Sequence, residues 1–221
     1  MRARSGGGCG YKRAMTARAR VAPKAPRERL DTDARRAQLL ALGLEVFARQ
    51  PYDEVSIEDL AERAAISKGL LYHYFPTKRD YYAAVVREAA RQLVTLTDLP
   101  DAMPPAQRLL EGLSRYLSFV ERHAPAYSTL LRGGIGSDPE VAAVIEETRQ
   151  ALLHRILRGI GEVDVTLRLT LRGWIGFVEA TSLEWLDHRD LDREAMLSLW
   201  ASSLLRLLPE LAPAVLAHEL T

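Results

Sequence analysis

Two prolines, Pro51 and Pro76, close off a stretch of chain in which nothing longer than two short helices fits. The apolar residues inside it say where those helices lie. Ile57, Leu60, Ala61 and Ala64 recur at spacings of three and four, so one face of a short helix turns inward, with Ser56 placed to cap its start and Asp59 placed to return the bond. After Ala65 and Ile66 a further helix runs from about Ser67 to Phe75, its inward face set by Leu71 and Phe75. Upstream, Ala37, Leu40, Leu44 and Phe47 mark a first helix that ends before Pro51. Downstream, Thr77 and Asp80 repeat the capping-box spacing and open a longer fourth helix toward Leu96. Two short helices joined by a few residues, the second carrying unusual polar tips, give a helix-turn-helix layout.

Those tips are specific. Opposite Leu71 and Phe75 stand Gly69, Leu70 and His73, with Tyr72 and Tyr74 on the two flanks. A helix enters the DNA major groove with its N-terminal residues nearest the base edges. Gly69 there lets the backbone approach closely, and Lys68 reaches guanine O6/N7 or a phosphate. The tyrosine hydroxyls are placed to donate to phosphates on the groove walls, while Thr77, Lys78 and the free amides of helix four form a second phosphate site. Spacing alone is also compatible with two ordinary packed helices, in which Tyr72 and Tyr74 cover core edges and Lys68 is merely solvated.

Charge is distributed unevenly. Residues 1–29 carry nine Arg and Lys against one acid, Glu28, a net +8 within a chain of net +1. Residues 30–80 come to −2 and residues 81–221 to −5. The leader is rich in Gly, Ala, Pro and Arg and too poor in apolar residues to pack, so it reads as a disordered basic arm; Met15 inside it offers a second start of translation. Its single cysteine, Cys9, forms neither an intrachain disulfide nor a zinc site. No window of eighteen residues is free of charge and the leader lacks an apolar core of its own, so the expectation is a cytoplasmic protein with no membrane span.

The segment "SIEDLAERAAISKGLLYHYFPTKRDYYAAVV" resembles the DNA-binding domain of the tetracycline-repressor (TetR) family of bacterial transcription regulators, and the likeness runs from about Thr32 to Glu88. The resemblance implies a homodimeric repressor whose third helix reads a palindromic double-stranded operator. It also implies that carboxy-terminal helices bind a small-molecule effector and that the last two helices make a four-helix dimer interface. By position, Ser56, Ser67, Lys68, Gly69, Tyr72, His73, Tyr74, Thr77 and Lys78 stand where family members contact DNA, and Leu70 shares their face. The expected fold is all-α: a three-helix helix-turn-helix domain over residues 30–80, joined to a helical effector-binding and dimerisation domain over 81–221.

Everything legible in that second part is helical. "DLPDAMPP" separates helix four from a helix at about Ala106–His123, and Pro139 after Asp138 suits the first position of another. "TLRLTLRGWIGFVEATSLEWLDH" places Arg168, Arg172 and Glu179 on one narrow strip and leaves the remaining circumference apolar or small, as in a helix covered on two sides. The helix from Asp192 to Leu208 has a wide apolar face through Met196, Trp200 and Leu204. A larger single-chain core would explain both, and the resemblance turns their outer faces into a self-association surface. Candidate ligand-binding residues are Tyr116, Phe119, His123, Tyr127, Trp174 and Phe177, aromatic bodies with a few polar tips. Taken singly, each is more often a core residue than a pocket residue, since pockets use only a few of the buried aromatics.

Other classes have weaker support. No glutamate is followed three residues later by histidine, as a di-iron bundle requires, and no phosphate-binding loop or nucleophile elbow is present. "LLRGGIGSDPE" follows a helix rather than a strand and reads as a turn. His123 and His154 belong to no Cys/His cluster with metal spacing, so neither a metal nor a cofactor is expected. The alternatives to a sequence-specific regulator are a nonspecific or architectural DNA-binding protein and, further off, a helical enzyme.

Overall fold

A computed structural model describes residues 32–132, 138–158 and 163–208. The basic arm and the Gly-rich turn expected after Arg132 lie outside the described residues. Among those described there are nine α-helices and no strand: α1 (Thr32–Phe47), α2 (Ile57–Arg63), α3 (Lys68–Tyr74), α4 (Lys78–Leu96), α5 (Pro105–Arg122), α6 (Ala124–Arg132), α7 (Pro139–Leu157), α8 (Val165–His188) and α9 (Arg193–Leu207).

The helix starts follow from their caps. Ser56 accepts a hydrogen bond from the Asp59 amide and Ser67 from the Leu70 amide. At Thr77 the capping box is complete, with the Asp80 amide donating to the threonine hydroxyl and the Thr77 amide donating to the Asp80 carboxylate. The returning bond expected from Asp59 to Ser56 does not form, so that end is a simple cap. Between α2 and α3 the chain turns at Ala65, whose φ of 52° lies in the left-handed region. That single residue lets the Ile66 amide bond back to the Ala61 carbonyl and swings α3 across α2.

Two hydrophobic cores result. The first joins Leu39, Phe47, Leu60, Leu71, Phe75 and Tyr81, and so binds α1, α2, α3 and the start of α4 into a head. The second gathers Leu117, Val120, Leu171, Trp174, Trp200 and Leu204 from α5, α8 and α9. Helix α4 belongs to both, giving Tyr81 through Val86 to the first and Leu93 to the second. The head core therefore continues beyond residue 80, and it also takes in Val141 and Val144 of α7.

Helices α1 and α4 touch most closely at Gly43. A Cβ there would lie 2.3 Å from Val85 Cγ2 and 2.8 Å from the Tyr81 hydroxyl oxygen. That hydroxyl is itself fixed, donating to the Leu39 carbonyl at 2.6 Å in the buried interior. Helices α4 and α7 run side by side in the same direction. Arg79 grips Asp138, the N-cap of α7, at one end, Arg87 reaches Glu140 at 3.1 Å, and Arg155 donates to Thr97 Oγ1 at 2.8 Å at the other.

Candidate nucleic-acid interface and interior cavity

Helix α3 is anchored by Leu71 and, just past its end, Phe75, which are 1% and 3% exposed, while Tyr72 and His73 between them face out. Lys68, Gly69, Leu70, Tyr72 and His73 form one continuous exposed surface. The nearest atom to a Cβ built on Gly69 is Ser67 Oγ at 4.0 Å, so the backbone is bare toward solvent there. Tyr74 is half-buried: its ring packs on the head core and lies edge-on to His73, with centroids 5.6 Å apart. Ser56, Ser67 and Thr77 spend their side-chain oxygens on helix caps. Lys78 is half-buried, its ammonium 4.2 Å from the centre of the Tyr52 ring.

Lys68 has a partner that its sequence neighbourhood does not announce. Its ammonium pairs with the carboxylate of Glu58, ten residues earlier on α2, and lies 5.7 Å from the Tyr72 ring centre. The hydrogen bond between them holds the ammonium above its ordinary pKa and the carboxylate below its own. Both groups are well exposed, so the pair adds little to stability. Its importance is positional, because it puts an acid beside the exposed N-terminal end of α3.

The second feature is a cavity of about 110 Å³ at the seam between the two cores. Leu44 and Phe47 of α1 with Tyr82 and Val85 of α4 wall it on the head side. Leu93, Tyr116 and Tyr127 of the second core wall the opposite side. The hydroxyls of Tyr116 and Tyr127 meet at 2.5 Å, and burial pushes both phenols well above their ordinary pKa. Glu179 of α8 borders the cavity with its carboxylate bound by Arg149, whose Nε lies 3.1 and 3.0 Å from the two oxygens. His123 is half-buried and its pKa is lowered by that burial, with Arg122 adding to the effect, so its imidazole is neutral at neutral pH.

Of the six aromatic and histidine candidates, the structure brings Tyr116, Phe119, His123 and Tyr127 together around this cavity. Trp174 and Phe177 stand elsewhere. The Trp174 indole N–H donates to the Trp200 carbonyl at 3.1 Å and to Ser203 Oγ at 3.0 Å, which commits the ring to the α8–α9 contact. Phe177 faces outward at 36% exposure. Two residues of the charged strip of α8 face a neighbouring helix. Arg172 and Glu179 turn toward α7, where they pair with Glu146 and Arg149, and the outward strip is Val165, Leu169, Gly173, Phe177 and Ala180. The desolvated pairing with α7 decides this, since a lone charge facing that helix would be left without a partner.

Among the described residues no cluster of His, Cys, Asp and Glu could hold a metal ion, and no helix is long and apolar enough to cross a membrane. A small head with an exposed reading helix on a capped turn, set on a larger helical body, defines a helix-turn-helix DNA-binding protein. Residues 39–85 match the family described as "Bacterial regulatory proteins, tetR family", and residues 105–206 match "Tetracyclin repressor-like, C-terminal domain". The chain belongs to the TetR family of transcription regulators.

Similar proteins agree on the class. A crystal structure of a TetR-family transcriptional regulator from Streptomyces coelicolor is 34% identical, with 86% of each chain covered and a TM-score of 0.73. The transcriptional activator FasR of Mycolicibacterium smegmatis is 28% identical over 174 residues, 76% of this chain and 80% of FasR. The transcriptional repressor KstR of Rhodococcus jostii is 22% identical over 132 residues, 60% of this chain and 62% of KstR.

Proposed function

We propose that this protein is a sequence-specific repressor that leaves its operator when a small, largely apolar molecule enters the seam cavity. The observation that carries this reading is the position of the cavity, whose lining is shared between the core that orients α3 and the core of the carboxy-terminal body. A molecule there touches Phe47 and Val85, at the junction of α1 with α4, and so bears on the orientation of the head. It shifts the equilibrium only by the difference in its affinity for the two orientations, typically about 1–3 kcal/mol.

The active unit is a homodimer on a palindromic operator, joined through the outer faces of α8 and α9. Leu169 is 57% exposed and Leu207 53%, on helices whose other faces are buried. A Cβ on Gly173 or Gly176 would meet nothing within 4 Å, which leaves a smooth strip along which a second copy of the helix can lie close. The sign of regulation differs between the relatives, FasR being an activator and KstR a repressor. Transcription has therefore to be measured alongside binding.

The test is a footprint over the DNA upstream of the gene, followed by binding and run-off transcription on the protected duplex. Repression at that site, a two-fold symmetric footprint and a preference over random DNA of about 10³ or more are expected. A much smaller preference would point to an architectural DNA-binding protein, and stimulated transcription to an activator.

A further inference from the structure

The cavity is selective in a way that its size alone does not reveal. It follows α4 from Tyr82 to Leu93, about 16 Å of helix, yet its volume is only about 110 Å³. A lining that follows one helix for that length suits an elongated molecule of on the order of ten heavy atoms. Its walls are apolar apart from a few groups, and nearly all of those are already satisfied. The Tyr116 and Tyr127 hydroxyls bond to one another, Thr148 Oγ1 donates to the Val144 carbonyl at 2.7 Å, and Glu179 is held by Arg149.

The charges decide what can enter. Among the described residues Glu179 is the one acid in the lining, and no Arg or Lys is part of it. Arg149 is bound to Glu179 and lies 3.5 Å from Glu146, while Arg172 occupies Glu146 at 2.8 Å, so both cations are committed behind the wall. An entering carboxylate gives up its water for a lining that holds no uncommitted cation, whereas a neutral molecule gives up far less. An entering ammonium competes with Arg149 for an acid that is already neutralised. The His123 imidazole makes no hydrogen bond within the described residues, its ring resting 4.5 Å from that of Phe119. It is the lining's available partner for a neutral hydroxyl or carbonyl.

We infer that the seam cavity takes one uncharged, chain-like apolar molecule carrying a neutral oxygen function, and rejects the matching carboxylate. The inference rests on the effector reading above, which it makes specific by ligand class.

The test is calorimetric titration of the full-length protein at pH 8 with 1-octanol, methyl octanoate, octanoate and octylammonium. The two neutral chains are expected to bind, and the two ions to bind at least tenfold more weakly. Ala126→Trp, which fills the cavity, should abolish binding of the neutral chains while unfolding stays cooperative. Glu179→Gln leaves Arg149 without its carboxylate and should bring octanoate to within about threefold of methyl octanoate. Octanoate binding the parent protein as tightly as its methyl ester overturns the inference, and so does the failure of both neutral chains to bind. The parent protein alone settles the charge rule, whatever the variants do. Operator binding is measured in parallel: neutral chains that bind without weakening it support the ligand class and remove the effector reading.

Discussion

Replacing Gly43 with alanine tests how tightly the head is fixed to the helix beneath it. The new Cβ would sit 2.3 Å from Val85 Cγ2, more than about 1 Å inside ordinary contact, and 2.8 Å from the Tyr81 hydroxyl oxygen. Neither neighbour gives way easily. A valine in a helix has one strongly preferred χ1, and Tyr81 is held by its bond to the Leu39 carbonyl. Helix α1 must therefore move off α4, an overpacking cost of about 1–3 kcal/mol. Losing the buried Tyr81 bond adds about 1–3 kcal/mol more, and the better helix propensity of alanine returns about 1 kcal/mol. The net expectation is a destabilisation of about 1–5 kcal/mol, read by urea unfolding with an unchanged denaturant slope. Gly112→Ala is the control, because its Cβ would meet only Leu99 Cδ1, at 3.8 Å, and it should be neutral or stabilising by up to about 1 kcal/mol. Shortening the obstacle with Val85→Ala in the Gly43→Ala background should recover part of the loss, giving a coupling of about 1 kcal/mol. If Gly43→Ala proved as benign as Gly112→Ala, the close approach of α1 and α4 would be refuted, and with it the rigid junction on which the effector reading depends.

Lys68→Ala should weaken operator binding and make its salt dependence shallower by about 0.9 for each phosphate it no longer neutralises, whereas Glu58→Gln should strengthen binding to operator and random DNA alike. Gel shifts over a salt series read both, and a Glu58→Gln protein that bound DNA less well would mean that the carboxylate positions Lys68 instead of competing for it. Ala65→Gly relieves a left-handed φ at a cost in unfolded-chain entropy, so it should stabilise by up to about 1 kcal/mol in thermal unfolding, with a loss pointing to a different turn. Leu169→Glu places a charge on the outer strip of α8 and should shift the protein to monomer in sedimentation, while leaving the unfolding of each chain cooperative. Stability should hold up to about pH 10 and then fall. Burial pushes Tyr82 up to about 12, Tyr81 and Tyr116 further, and Tyr127 well above its ordinary value, so the native state keeps protons that the unfolded chain releases from about pH 10 upward. Tyrosinate absorbance worth more than four of the eight tyrosines before unfolding would show that some of these buried rings are solvated.

The head is legible in the sequence because its signals are local. Caps at Ser56, Ser67 and Thr77, the stop at Pro76 and the Leu71–Phe75 pair each act within one helical turn, and the structure repeats them almost residue for residue. What escaped the sequence depends on how separate helices meet. Glu58 and Lys68 come together only because the turn at Ala65 folds α3 back over α2, and no periodicity links positions ten apart across a turn. Trp174 and Tyr116 are both buried aromatics with polar tips; which one borders open space is settled by α9, whose Trp200 carbonyl and Ser203 claim the indole N–H. The facing of α8 was hidden for the same reason. Arg172 and Glu179 stand on a narrow charged strip in the sequence, and only α7 identifies Glu146 and Arg149 as their partners.

The ion pair on the reading helix has a consequence for how the protein finds its site. Most DNA-binding surfaces present bare cations, which hold random sequence strongly enough to slow the search. Here the foremost lysine of α3 travels with its own counter-ion, Glu58, and the segment around it is net negative. Under the proposed function, random DNA gains Lys68 only by displacing this carboxylate, which would shorten visits to wrong sites. On the same reading, a site that supplies base edges as well as phosphates regains more than this exposed pair gives up, so discrimination would act through dwell time as well as through affinity. For a protein outnumbered by some 10⁶ or more competing sites, that division leaves more of the population free to reach the right one.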